Sequence, residues 1–293
     1  MTTSLEGRVA WVTGASRGAG KGIALALGHE GATVIVTGRS TREASTRTDL
    51  PYATIDDTAD AVNQAGGHGI AIRCDHTEDA QVQAAFDQIM SEHGRIDLLV
   101  NNVWGGYEEY GNDAAFDLPF WEQPLWRWDR MFQAGVRAHF TASQMVAPRM
   151  MKQGAGLIVN TTFWDRGKAL SSVPYDLAKR AIARMAYMMA LDLKESGVTA
   201  VAVSPGWMRT ESVLCHFDLP PDDSHRPLPD ALQTTESVFY IGRAICALAK
   251  DPEVGKKDGQ ILTVGALARE YGFTDIDGTQ PPAFEVPDAH LRD

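Results

Sequence analysis

The sequence predicts an α/β protein, a single doubly wound domain built on a seven-stranded parallel sheet. Three observations carry that expectation. Short β-rich apolar runs alternate with helical patterns along most of the chain, the order that produces a parallel sheet covered on both faces. The runs are apolar almost without interruption, as strands buried on both sides must be. The chain of 293 residues, 44% hydrophobic and 22% charged, has ample material for one large core.

The elements follow in order. Residues 8–13 (RVAWVT) form strand one, and 21–30 the helix after it. Residues 32–37 (ATVIVT) form strand two, 55–64 a helix and 69–73 strand three. Residues 78–93 form a helix whose apolar positions Val82, Ala85, Phe86 and Ile89 recur at helical spacing. Strand four covers 95–100, a long helix 124–151 and strand five 156–161. A helix over 173–196 precedes strand six at 198–204. A helix over 237–250 precedes strand seven at 260–264. Three segments are loop-rich: 40–54, 104–119, and 206–234, which is rich in proline and aspartate. Ligands of open α/β sheets bind beyond the carboxyl ends of the strands. Residues 206–234 are therefore the expected substrate loop. A C-terminal extension spans 265–293, and from 275 it is polar, with three prolines, so loose packing is expected there.

Composition excludes several classes. A formal net charge of -11 repels phosphate backbones, so nucleic acid is not an expected partner. Cys74, Cys215 and Cys246 show neither metal-ligand spacing nor a disulfide framework. No metal is expected, and a reducing, cytoplasmic setting fits. The opening residues MTTSLEGR carry no leader pattern. No apolar run approaches the length of a membrane span.

Strand one runs into Thr13-Gly14-Ala15-Ser16-Arg17-Gly18-Ala19-Gly20. Glycines permit a tight turn and close approach of a phosphate to backbone. The helix that follows offers free N–H groups and a positive dipole end to a pyrophosphate. This is the phosphate turn of a Rossmann fold. An NAD-selective site places a carboxylate at the end of strand two for the ribose 2′-hydroxyl. Here the residues are Thr37-Gly38-Arg39-Ser40. Arg39 suits a 2′-phosphate, with Arg17 in reach of the same group, which predicts NADP(H) over NAD(H).

Beyond strand five stands Tyr175-Asp176-Leu177-Ala178-Lys179. Positions i and i+4 share a helix face. A cation beside a phenol favours phenolate and draws its pKa down from about 10, which tunes tyrosine for proton transfer.

Taken together, Thr13 to Gly20, Cys74-Asp75, Asn101-Asn102, Tyr175 to Lys179, and Ser204-Pro205-Gly206 followed by Thr210 resemble the short-chain dehydrogenase/reductase family in order and spacing. The resemblance covers residues 7 to 264, and residues 266–278 lie where many members have already ended. It implies hydride transfer between nicotinamide C4 and a carbonyl or secondary alcohol, with Tyr175 donating the proton in reduction. Lys179 would lower the phenol's pKa and bond the nicotinamide ribose. Asp75 would face the adenine, and Asn101 would support the cofactor from strand four. Pro205, Gly206 and Thr210 would line the nicotinamide side. The resemblance also implies a homo-oligomer assembled through the two long helices.

Two departures from the family pattern stand out. Gly135 replaces an asparagine of the long helix that members use to organise a relay water. The usual serine is also displaced. Counting back from Tyr175 gives Thr162, and counting along strand five gives Phe163. A shift of one residue reverses the side to which a strand side chain points. Thr162 is preferred because phenylalanine has no hydroxyl, with Ser171 and Ser172 as weaker alternatives. These departures leave open a cofactor-binding regulatory or scaffold protein that has given up catalysis. The intact Tyr175/Lys179 pair argues against it.

Six of the seven tryptophans lie beyond strand one, on segments bordering the substrate side: Trp104, Trp121, Trp126, Trp128, Trp164 and Trp207. Tyr107, Tyr110, Phe163, Met208 and Phe217 add apolar surface. Such a lining favours a bulky hydrophobic ketone or alcohol, steroid-like or xenobiotic. Trp104, Phe163, Trp164 and Trp207 are the expected substrate contacts. Trp126 and Trp128, on the long helix, also suit core or subunit contacts. His139 has the character of a packed histidine.

Overall fold

The computed structural model describes residues 4–45, 53–107, 116, 118–164, 168, 171–220 and 228–286. Its elements are β1 (Val9–Thr13), α1 (Gly18–His29), β2 (Thr33–Gly38), α2 (Ile55–Gln64), β3 (His68–Arg73), α3 (Asp79–His93) and β4 (Leu98–Asn101). Then follow α4 (Leu125–Arg130), a π-helical stretch (Met131–Arg137), α5 (Ala138–Gln153), β5 (Gly156–Thr161), α6 (Val173–Asp192) and β6 (Val198–Ser204). The chain continues through β7 (Met208–Arg209), α7 (Glu211–His216), β8 (Glu236–Ser237), α8 (Val238–Lys250), β9 (Ile261–Thr263) and α9 (Val264–Tyr271).

Seven parallel strands form one sheet in the order β3-β2-β1-β4-β5-β6-β9. Chain direction across the sheet reverses between β1 and β4, the switch point where such folds open a crevice for ligands. The expected doubly wound Rossmann architecture is therefore present. Every residue of β1 and β6 is buried, which explains their unbroken apolar character. One core packs α1, α8 and α9 on one face of the sheet, with Ile23, Leu27, Ile241 and Leu267 at its centre. A second packs α3 and α5 on the other, around Trp11, Ile89 and Val146. Trp11 is fully buried, and its indole N–H donates to Thr37 Oγ1 at 3.0 Å.

Several boundaries differ from the sequence expectation for local physical reasons. Strand four begins at Leu98 because Asp97 is spent as a brace: its carboxylate accepts from the Val9 N–H at 2.8 Å and pairs with Arg95. The long helix is not α throughout. Residues 131–137 adopt the wider π form, with Gly135 inside it, where glycine's poor helix propensity lowers the cost of leaving α geometry. The short strands β7 and β8 pair in a two-stranded ribbon and are too short to show a sequence period.

The C-terminal extension is not loosely packed as far as residue 286. After α9 the chain doubles back. Asp275, 1% exposed, accepts from the Ser237 N–H at 2.8 Å. The Tyr240 hydroxyl donates to the Pro281 carbonyl at 3.1 Å. Val286 is buried, and its carbonyl accepts from Lys168 Nζ at 3.1 Å. The polar residues that suggested a loose tail are those that tie it down. Residues 287–293 lie outside the described part of the chain, as do Tyr110, 46–52 of the polar loop and 221–227 of the substrate loop. Among the described residues no helix is long and apolar enough to cross a membrane.

Candidate active site

The turn after β1 is held from β4. The Thr13 hydroxyl donates to the Val100 carbonyl at 3.2 Å and accepts from the Asn102 N–H at 3.0 Å. The Asn102 side-chain amide donates to the carbonyls of Thr13 at 3.3 Å and Gly14 at 3.0 Å. Gly14 has a φ of +65°, and a Cβ there would stand 2.9 Å from Val103 Cα. A Cβ at Gly20 would overlap the Gly14 carbonyl oxygen. Arg17 is the extended residue that caps α1, and Ser16 lies buried beside Gly38 at the end of β2.

Gly18 opens α1, and its N–H donates to a carboxylate oxygen of Glu211 at 2.7 Å. Lys21 lies 3.9 Å from the other oxygen. The N-terminus of α1 thus already holds an anionic oxygen. The bare backbone around Gly14 and Gly20 leaves the space a pyrophosphate requires. On both counts the residues present fit the dinucleotide that the fold implies. Thr210 caps α7, its hydroxyl accepting from the Val213 N–H at 3.3 Å, and so fixes Glu211 beside α1.

Arg39 and Asp75 lie across the ends of β2 and β3, 3.9 Å apart. Burial of the Asp75 carboxyl works against its charge. Hydrogen bonds from the Thr77 N–H (3.0 Å) and hydroxyl (2.7 Å) outweigh it, and with Arg39 they hold the group below the usual carboxylate range. Asn101 is fully buried, and its amide is spent on Ser143 Oγ and Asn160 Oδ1, both at 2.8 Å. It braces β4 against β5 and α5. The asparagine that holds the glycine turn is its neighbour Asn102, which the paired sequence Asn101-Asn102 offered but which the sequence reading passed over.

Tyr175 and Lys179 lie one turn apart on α6, with the ammonium 5.8 Å from the phenol ring centroid. Burial pushes the Lys179 amine down to about 7. The charge is not left without compensation, because Nζ stands 3.6 Å from the centroid of the Trp104 ring. Four aromatic rings surround Tyr175: Trp104 at 5.7 Å, Phe116 at 6.1 Å, and Tyr107 and Phe163 at 6.3 Å. His139 is the packed histidine expected. Its Nε2 lies 3.0 Å from the Val103 carbonyl. Burial, with the charge of Lys179, pushes its pKa down to about 3.

Thr162 does not stand where the sequence preference put it. Its hydroxyl donates to the backbone carbonyl of Lys179 at 2.7 Å, which ties the end of β5 to α6. The next residue, Phe163, turns to Tyr175. Successive residues of an extended chain point to opposite sides, so the residues given by the two counts meet different neighbours. Ser172 is buried and Ser171 is exposed. Neither is joined to Tyr175 by a hydrogen bond that the structure shows.

Only part of the expected tryptophan wall converges on the phenol. Trp104 does. Trp164 donates its backbone N–H to Ser204 Oγ at 2.9 Å, and its ring lies 5.7 Å from the Arg180 guanidinium. Trp207 is 44% exposed at the start of the substrate loop. Trp128 stacks on Phe132 in an open groove with Asp129, Val136, Phe140 and Met185. That groove lies along the outer helices and does not include Tyr175 or Lys179.

The C-terminal extension brings to Phe163 an aromatic residue that no sequence period announced. Phe284 meets Phe163 edge-on at 5.6 Å and lies against Gly206. Behind Gly206 sits Glu236, 2% exposed. Burial pushes its carboxyl up to about 8, although the Gly206 backbone N–H bonds to it. Gly206 is thus backed by a carboxyl whose pKa is raised by burial to about 8.

The short chain dehydrogenase family profile matches residues 8–214, and the chain belongs to that family. It is 35% identical over 282 residues to dehydrogenase/reductase SDR family member 1 of Mus musculus, covering 95% of this chain and 86% of the relative. It is 31% identical over 210 residues to 7alpha-hydroxysteroid dehydrogenase of Escherichia coli (strain K12), covering 71% of this chain and 74% of the relative. A solved structure of 7alpha-hydroxysteroid dehydrogenase complexed with NADH and 7-oxo glycochenodeoxycholic acid superposes with a TM-score of 0.71 at 27% identity, over 95% of this chain and 96% of that one.

Glu236 generates a pH prediction. Its carboxyl ordinarily ionises near 4.5 but keeps its proton to about 8 when folded. Between these values the folded state binds the additional proton, so the Glu236 contribution to stability falls as pH rises through that window. Glu236→Gln should remove this fall. Melting temperatures from pH 5 to 9 check it: the variant should gain on the wild type with rising pH, and parallel curves would contradict the assignment.

Proposed function

We propose that this chain is an NADP(H)-dependent oxidoreductase that moves a hydride between the nicotinamide and a carbonyl or secondary alcohol of a bulky apolar substrate, steroid-like or xenobiotic. The observation that carries the reading is the enclosure of the Tyr175 phenol by four aromatic rings with Lys179 one helical turn away. An aromatic enclosure with one polar group at its centre suits an apolar ketone and offers a polar sugar few partners. Family membership supports the oxidoreductase class, and the hydroxysteroid dehydrogenase relative supports the substrate class.

A bound nicotinamide supplies the hydride. The chain's own residues do the rest. Tyr175 gives its hydroxyl proton to the carbonyl oxygen in reduction and takes it back in oxidation. The Lys179 ammonium stabilises the phenolate left behind and bonds the nicotinamide ribose. Thr13, Gly14, Ser16, Arg17, Gly18 and Gly20 receive the pyrophosphate, with Asn102 holding the turn. Asp75 faces the adenine. Arg39, at the end of β2 with no carboxylate beside it in sequence, favours a 2′-phosphate. Pro205, Gly206 and Thr210 line the nicotinamide side. Trp104, Phe163, Trp164 and Trp207 contact substrate, joined by Phe284. Residues 206–234 act as substrate loop and 265–293 as an extension that closes the wall. Trp128, Phe140, Tyr187 and Met188, each at least 40% exposed on the long helices, supply the apolar face of a homo-oligomer. Burial raises the thiols of Cys74 and Cys246 to about 12, which suits unreactive cysteines in the cytoplasm.

Three outcomes are expected. In an NADPH-oxidation assay with a panel of aromatic and polycyclic ketones, Tyr175→Phe should bind NADPH as the wild type does yet lose about 10²–10⁴-fold in turnover. Retained turnover contradicts the role of the phenol. Arg39→Ala removes a charge-assisted hydrogen bond worth about 1.5–3 kcal/mol. It should weaken NADPH about ten- to hundredfold with NADH unchanged, as read by fluorescence titration of both cofactors. Phe284→Ala should raise KM for bulky ketones about tenfold, near 1.4 kcal/mol, with little change for small aliphatic ketones. Equal effects on both substrate sizes would remove Phe284 from the wall.

A further inference from the structure

The π-helical stretch 131–137 holds a notch. Gly135 lies in it, buried, and a Cβ built there would stand 2.7 Å from Cζ3 and 2.8 Å from Cε3 of Trp104. No residue with a side chain fits without moving the indole. π-helical turns cluster at functional sites, and this one borders the helix that carries Tyr175 and Lys179.

The same indole makes two further contacts. The Lys179 ammonium lies 3.6 Å from its ring centroid. Tyr175 meets it at 5.7 Å with an interplanar angle of 81°. The edge bearing Cε3 and Cζ3 faces Gly135, so the N–H lies on the far edge. That N–H is buried and finds no hydrogen-bond acceptor among the described residues. The orientation of the ring is therefore set by packing into the notch and by its ring neighbours. A buried donor without a partner costs stability, so the ring is not placed here for its hydrogen bond.

We propose that Trp104, seated in the notch of Gly135, is the positioning residue for Lys179. The π face fixes where the ammonium stands relative to the Tyr175 ring, and the absent side chain at position 135 fixes where the π face stands. Gly135 and Trp104 act as one unit. The inference rests on Tyr175 and Lys179 being the reacting pair. It is nevertheless testable in cofactor-free protein, where no turnover is needed.

Two effects of the ring on Lys179 oppose each other. The cation–π contact favours the charged amine, and exclusion of water disfavours it. Burial as a whole brings the amine to about 7 rather than 10.5, and the indole 3.6 Å from Nζ is part of that burial. Removing the ring should therefore raise the midpoint.

The test is competitive acetylation of cofactor-free protein by trace acetic anhydride across pH 6–11, with the Lys179 peptide read by mass spectrometry. Trp104→Ala should raise the Lys179 midpoint by about one unit or more, which lowers the free-amine fraction at pH 7 about fivefold or more. Trp104→Phe, which keeps a π face, should stay close to the wild type. Gly135→Ala displaces the indole and should shift the midpoint in the direction of Trp104→Ala. The double variant should shift no further than Trp104→Ala alone, because the clash vanishes with the ring. Circular dichroism verifies folding, and Trp104→Leu replaces Trp104→Ala if that variant does not fold. An unchanged midpoint on removal of the ring, or additive shifts in the double variant, overturns the proposal. Should Tyr175→Phe retain turnover while the coupled shifts are seen, the catalytic reading fails and the positioning geometry stands.

Discussion

The site depends on a charge that the fold makes expensive. Lys179 is half-buried on α6, and burial pushes its amine down to about 7. An isolated ammonium is not stable in such surroundings. Its nearest compensation is the Trp104 face, with the Tyr175 ring beyond it. His139, close enough for its own pKa to be lowered by the lysine, is kept neutral by burial and adds no repulsion. Other features follow from keeping that environment dry. Tyr107, Phe116 and Phe163 close around the phenol, and Thr162 ties β5 to the α6 backbone at Lys179 itself.

What the sequence makes legible is what repeats or what has fixed chemistry. The strand-then-helix alternation, the burial of the strands and the glycine turn follow from composition and period alone. The bounds of α2, β5 and β6 agree with the structure to the residue. The readings that failed each lacked a periodic signal. Whether Thr162 or Phe163 faces the phenol depends on where β5 stops being regular, and the two counts differed by one residue. Asn101 and Asn102 are adjacent and chemically identical. They differ in role because consecutive side chains leave a strand on opposite sides. The π turn at 131–137 is invisible because its residues are ordinary helix residues apart from Gly135. Phe284 stands far along the chain from Phe163, in a stretch without secondary structure.

The extension shows how a polar tail becomes part of a hydrophobic site. Ser237, at the start of α8, binds Asp275 through both its backbone N–H and its hydroxyl. Arg243 then accepts the turn by donating to the Thr274 and Asp275 carbonyls, the first at 2.5 Å. From that buried anchor the chain returns past Tyr240 and Gly265 to the substrate side. It ends the described region with a buried valine. Each polar contact satisfies a group that would otherwise be buried alone, and together they bring Phe284 to the face of Phe163. The protonated Glu236 belongs to the same assembly. A neutral carboxyl can be packed behind Gly206 beside Asp275, where a second carboxylate would be repelled.

The same reasoning applies at the other end of the site. The first N–H of α1 points at Glu211, and the helix dipole favours whatever anion stands there. The Glu211 carboxylate occupies that donor, with Lys21 3.9 Å from its other oxygen. Thr210 caps the helix that carries Glu211, and β7 pairs with β8 immediately before it. β8 carries Glu236, which bonds to Gly206. The contacts at the N-terminus of α1 and those at Gly206 therefore run through one short stretch, residues 204–216 with β8 behind it. That stretch joins α1, through Glu211, to Gly206, against which Phe284 packs.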